Sequence, residues 1–139
     1  MYAARRDHIE RVIEPALTRG DWVVCDRFAD STRAYQGGAG GVDRDLIAAL
    51  ERQVVGDTSP DLTLIFDLDP ALGLARATDR AGAEMRFESK GLAFHTRLRA
   101  AFLEIAAEDP SRCAVIDAAG SPAEVEALVW ATVQARGHG

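Results

Sequence analysis

Pro60-Asp61-Leu62-Thr63-Leu64-Ile65-Phe66-Asp67-Leu68-Asp69-Pro70 decides the fold class of this chain. The apolar run from Leu62 to Phe66 is continuous rather than alternating, the pattern of a parallel strand covered on both faces. Pro60 introduces it. Asp69-Pro70 then opens a helix with proline in its first turn, where the absent N–H is not missed. Strand, short turn and helix in that order are half of a βα repeat.

The helix opened by Asp69-Pro70 runs to about Arg80. Residues 78–91 are charged and contain Gly82 and Gly91, and they read as a mobile, lid-like loop. Residues 92–108 form an amphipathic helix with Leu98, Phe102, Leu103 and Ile105 inward. Ala114-Val115-Ile116 is a short strand. Ser121-Pro122-Ala123-Glu124 is a capped helix start, and that helix reaches about Arg136 before a frayed Gly-His-Gly end. Toward the N-terminus, residues 43–56 read as a helix closed by Gly56. Residues 26–41 are a polar, glycine-rich functional loop with a short helix. Trp22-Val23-Val24-Cys25 is a further buried strand. Residues 3–19 are a helix with Ile9, Val12, Ile13, Ala16 and Leu17 on one face, kinked or crowded at Pro15 and stopped at Gly20. Strands alternating with helices predict a parallel sheet with helices on both faces. Ligands of such folds bind beyond the carboxyl ends of the strands, here after Cys25, Phe66 and Ile116.

The 139 residues suffice for one domain with its own core. The formal net charge of −6 disfavours a partnership with nucleic acid polymers, which favours a broad positive field. Cys25 and Cys113 lie in apolar runs and read as buried thiols, without metal-ligand spacing. No secretion signal opens the chain and no apolar run approaches membrane-spanning length, so the expectation is a cytoplasmic protein.

Asp26-Arg27 follows the strand at 22–25. An Asp there can hold a magnesium-bound water and an Arg can grip a phosphate; a local ion pair is the plainer alternative. Ser31-Thr32-Arg33-Ala34-Tyr35-Gln36-Gly37 offers hydroxyls, an aromatic ring and an amide suited to a nucleobase or sugar, or else a polar loop packed by one tyrosine. Gly37-Gly38-Ala39-Gly40-Gly41 has neither a preceding strand nor a following Lys-Ser/Thr, so it fails as a phosphate loop and reads as a flexible turn. Arg76, Arg80, Arg86 and Lys90 gather around the loop at 78–91, as a solvated face or as a lid over phosphates. His8, His95 and His138 read as surface residues.

The ordered combination of Tyr2-Ala3-Ala4-Arg5-Arg6-Asp7-His8, Gly20-Asp21-Trp22-Val23-Val24-Cys25-Asp26-Arg27-Phe28, Asp30-Ser31-Thr32-Arg33-Ala34-Tyr35-Gln36-Gly37-Gly38, Pro60 to Asp67, Arg86-Phe87-Glu88 and Val115-Ile116-Asp117-Ala118 resembles the bacterial thymidylate kinases over essentially residues 1–139. The resemblance implies a truncated P-loop kinase-like α/β fold and transfer of the terminal phosphate of ATP to dTMP with Mg2+. It implies that Arg5 bonds the thymine ring and Arg27 the dTMP phosphate. Asp26 would lie near the magnesium, through water rather than as a direct ligand. Ser31 and Gln36 would line the thymine site, Tyr35 would lie against the deoxyribose, and Arg80 and Arg86 would be lid arginines.

Two departures stand out. The family's stacking Phe, four residues before the helix arginine, is Met1 here, with Tyr2 beside it as a partial substitute. The family's N-terminal segment, with its first strand, its Gly-rich Lys-Ser/Thr loop and a second strand, has no counterpart, so the ATP site is incomplete. An internal start, a gene fragment or a misplaced reading frame would each produce this. The expectation is a three-stranded remnant with its middle open and exposed edges that invite a homo-oligomer. The competing readings are a non-catalytic nucleotide- or partner-binding remnant, and another nucleoside or nucleotide kinase. The Ser31–Gly37 loop favours thymidine over the latter.

Overall fold

The computed structural model describes residues 1–81 and 91–137, apart from the side chains of residues 80 and 81. The chain divides into two compact units, Met1–Pro60 and Asp61–Gly139.

The first unit is helical. Helix α1 (Tyr2–His8) continues through a π-helical turn at Ile9–Ile13 into α2 (Glu14–Thr18). The kink expected at Pro15 takes this form: Pro15 has no N–H for the Arg11 carbonyl, and the widened turn just before it absorbs the mismatch. Gly20 ends the run in the left-handed region, at φ +81°. The short helix α3 (Ala29–Thr32) leads into a second π-helical turn, Arg33–Gly38, and α4 (Arg44–Val54) follows. Asp43 caps α4, accepting from the N–H groups of Asp45 (2.7 Å) and Leu46 (3.2 Å). Ile9, Ile13, Ala29 and Val55 form the core, with Val23 and Phe28 packed against it.

Residues 22–25 are not a strand, contrary to expectation. Val23 alone is partly buried on the core. Trp22 is 70% exposed, Val24 is 93% exposed, and Cys25 is exposed rather than buried. A strand needs a neighbour to satisfy its backbone groups, and among the described residues no strand lies alongside this segment.

The second unit has the expected α/β character. Strand β1 (Thr63–Asp67) pairs in parallel with β2 (Cys113–Asp117), from Thr63 opposite Cys113 to Asp67 opposite Asp117. Helices α5 (Pro70–Ala81) and α6 (Gly91–Glu108) connect them, and α7 (Pro122–Ala135) follows β2. Helix α6 packs on both strands and on α5, while α7 packs on β2. Asp69 caps α5 through the N–H of Ala71 at 2.9 Å. Ser121 and Glu124 form the anticipated capping box on α7. The sheet is less covered than the apolar runs suggest. Ile65, Cys113 and Ile116 are buried, but Phe66 is 56% exposed and Val115 is 47% exposed. The sheet has two strands rather than three among the described residues. Among those residues no helix is long and apolar enough to cross a membrane.

Candidate functional site

In the first unit Arg5 and Tyr35 both contact the turn at Asp26–Phe28. Arg27 sits at φ +63°, a left-handed conformation that costs a non-glycine residue roughly 1–2 kcal/mol. Its guanidinium lies 5.1 Å from the centroid of the Tyr35 ring, and Nη2 donates to Tyr35 Oη at 3.0 Å. Arg27 therefore turns to Tyr35, not to Asp26. Asp26 is exposed and forms no ion pair among the described residues, which removes the local ion pair as an account of the motif.

The next carbonyl, that of Phe28, accepts from the Ser31 N–H at 3.2 Å and from Arg5 Nη2 at 3.2 Å. Arg5 thus reaches from α1 onto the loop that carries Arg27. Its guanidinium lies over the rings of Phe28 (5.4 Å) and Tyr2 (5.7 Å). Arg5 Nη1 and Tyr2 Oη are buried without a hydrogen-bond partner. Leaving such groups unsatisfied costs about 1–3 kcal/mol each, so their persistence calls for an account. Burial pushes the Tyr2 phenol above its usual range; the Glu51 carboxylate adds to the rise and Arg5 offsets part of it.

The π-helical turn Arg33–Gly38 presents Tyr35, partly buried, and Gln36, exposed. Such turns insert an extra residue into a helix and recur at functional sites. Here the glycine run closes the turn. Ala39 N–H donates to Ala34 (2.9 Å) and Val42 N–H to Gln36 (2.8 Å). A Cβ on Gly40 would stand 2.7 Å from the Tyr35 carbonyl. Asp30, buried beneath the turn, accepts from Arg33 Nη1 at 3.3 Å.

The second unit holds a feature the sequence did not disclose. A cavity of about 360 Å³ opens beside the end of β1, lined by Phe66, Asp67, Pro70, His95 and Arg99 among others. Arg99 grips Asp67 in bidentate fashion, Nε to Oδ1 at 2.7 Å and Nη2 to Oδ2 at 3.0 Å. These bonds hold the Asp67 carboxyl below the usual carboxylate range, against a smaller opposing effect of burial. His95, expected at the surface, is partly buried here with its ring edge-on to Phe94 at 5.6 Å. Arg76 donates to the carbonyls of Ala118 (2.9 Å) and Ala119 (2.6 Å). The Arg80 side chain, Arg86, Lys90 and most of the lid-like loop at 78–91 lie outside the described residues. Among the described residues no three His, Cys, Asp or Glu side chains converge as a metal site.

The thymidylate kinase family profile matches residues 1–129. The chain belongs to the thymidylate kinase family. It is 64% identical over 131 residues to the thymidylate kinase of Caulobacter vibrioides, covering 94% of this chain and 61% of that protein. With the thymidylate kinase of Rhodopseudomonas palustris strain TIE-1 it shares 54% identity over 136 residues, covering 96% and 59% respectively. The crystal structure of thymidylate kinase from Ehrlichia chaffeensis superposes with a TM-score of 0.71 at 34% identity, over 96% of this chain and 60% of that one. The chain therefore spans about three-fifths of the length of the relatives it matches. Its two-stranded parallel sheet and flanking helices are a partial P-loop kinase-like α/β fold.

Proposed function

We propose that the first unit is the nucleoside monophosphate site of a dTMP kinase, which transfers the terminal phosphate of ATP to dTMP to give dTDP. One observation carries the reading: Arg5 bonds the carbonyl of Phe28, the residue after Arg27, so an arginine of α1 is tied to the loop that carries Arg27. In this reading Arg27 grips the phosphate, Arg5 the thymine ring, Ser31 and Gln36 line the base, and Tyr35 meets the sugar. Arg80 and Arg86 belong to the lid at 78–91.

ATP and Mg2+ belong to the same reading. Asp26, exposed and without an ion pair among the described residues, suits contact with a metal-bound water and is too little to make a metal site alone. The 139 residues contain no Gly-rich loop followed by Lys-Ser/Thr, so they do not themselves complete an ATP-phosphate site. Calorimetric titration of the chain with dTMP, dCMP and AMP tests the assignment. The expected result is preferential binding of dTMP. Equal affinity for all three would remove the base assignment, and no binding of any would remove the site.

A further inference from the structure

Among the described residues, Tyr2 Oη and Arg5 Nη1 are the buried side-chain polar atoms that have no hydrogen-bond partner. They come from one face of one helix, three residues apart. The Arg5 guanidinium lies over the Tyr2 ring, and its other arm is fixed on the Phe28 carbonyl. Arg5 Nη1 therefore has a set position and lacks only an acceptor.

We propose that the Tyr2 hydroxyl is a second base-recognition group, acting with Arg5 Nη1 on the polar edge of a bound pyrimidine. The inference rests on the reading of the first unit as a dTMP site and adds to it a residue and a role. A thymine edge alternates acceptor, donor and acceptor. Arg5 can only donate, so it requires a ring carbonyl. A phenol hydroxyl both donates and accepts, so Tyr2 can take the adjacent ring N–H or serve a second carbonyl. Its ring already packs against the Arg5 guanidinium, and the hydroxyl is the part of the side chain without a use. Burial and the Glu51 carboxylate keep that phenol protonated at neutral pH, available in either role. Cytosine carries an amino group where thymine has a carbonyl, and an arginine donor cannot accept from it. The pair therefore selects an oxo-pyrimidine by leaving buried donors unmatched when the wrong base enters.

The test is Tyr2→Phe, which removes one oxygen and leaves the ring. Thymidine and deoxycytidine are titrated calorimetrically into the wild-type 139-residue chain and the variant, and thermal unfolding of both is followed without ligand. A hydrogen bond between neutral groups corresponds to a loss of roughly two- to tenfold in affinity. The expected result is that loss for thymidine, with discrimination against deoxycytidine reduced and an unliganded melting temperature equal to or above that of the wild type. Undiminished thymidine affinity in Tyr2→Phe would overturn the role of the hydroxyl while leaving the dTMP site intact. A melting temperature that falls together with affinity, or a variant that does not fold, would make the hydroxyl structural and overturn the proposal. Failure of the wild-type chain to bind thymidine would instead overturn the underlying site, and the proposal with it.

Discussion

Arg27 is held in an unfavourable backbone conformation with its guanidinium laid on Tyr35. Strain of this kind persists where the surroundings fix it, and it clusters at ligand sites. If the guanidinium serves the phosphate, Arg27→Ala weakens dTMP but not thymidine, because only the former carries the charge. A hydrogen bond to a charged group contributes about 1.5–3 kcal/mol, so the expected loss for dTMP is roughly ten- to a hundredfold. Titration of both ligands decides it; an equal loss for both would mean that Arg27 shapes the loop rather than binds. Asp67 ties stability to pH. Arg99 lowers its pKa in the folded state below the ordinary 3.8, so the folded chain binds fewer protons at this site than the unfolded chain. The resulting stability is present above the unfolded value and is lost as pH falls below about 3.8, through the folded value. Asp67→Asn should therefore cost up to about 1 kcal/mol near neutral pH, the pair being partly exposed. That difference from the wild type should shrink below about pH 3.8. Urea unfolding of both proteins across pH 2–7 measures it, and a pH-independent difference would assign the loss to packing.

The elements divide by how local their causes are. The start of α7 was legible because Ser121 and Glu124 cap each other three residues apart. Gly20 and Gly56 were legible as stops because a positive φ is a property of one residue. The segment 22–25 was not, since being a strand depends on a neighbour elsewhere in the chain, and its apolar run reports the burial such a neighbour would provide. Asp67 and Arg99 are 32 residues apart, and nothing in their local patterns announces the pair. The candidate site was legible in its residue types, which stand close together in sequence, but not in the contact of Arg5 with Phe28, 23 residues away. The glycine run at 37–41 lacks the following Lys-Ser/Thr of a phosphate loop, and its packing emerges only from the fold. Gly40 lies against the carbonyls of Tyr35 and Gln36, at 2.7 and 2.9 Å from where a Cβ would stand. Backbone cannot yield as a flexible side chain does, so Gly40→Ala should displace the π-helical turn. The expected outcome is weaker binding of both dTMP and thymidine, by roughly tenfold or more if the overpacking costs its usual 1–3 kcal/mol. Unchanged affinity for both would show that the turn does not position Tyr35 and Gln36 for the ligand.

These 139 residues are expected to bind dTMP without phosphorylating it at an enzyme's rate. Phosphoryl transfer depends on positioning the phosphates and stabilising their charge. The chain offers Arg27 and the proposed lid arginines Arg80 and Arg86 for part of the charge. Its sequence has no Gly-rich loop followed by Lys-Ser/Thr, the motif that holds the β- and γ-phosphates and fixes magnesium. An arginine finger contributes about 10³–10⁵ in rate, but only to phosphates already held in line. The relatives are longer by a segment this chain does not match. By the family resemblance that segment brings the phosphate loop and a strand to neighbour residues 22–25. Supplying it, as a fusion or as a separate peptide, should do two things together. It should confer dTMP-dependent release of ADP, measured in a coupled assay, and it should shield Trp22, now 70% exposed, shifting its fluorescence to shorter wavelength in a Trp130→Phe background. A blue shift without turnover would locate the fault in the monophosphate site or the lid. Rapid ADP release by the 139 residues alone would overturn the prediction and require a phosphate-holding site built from other residues.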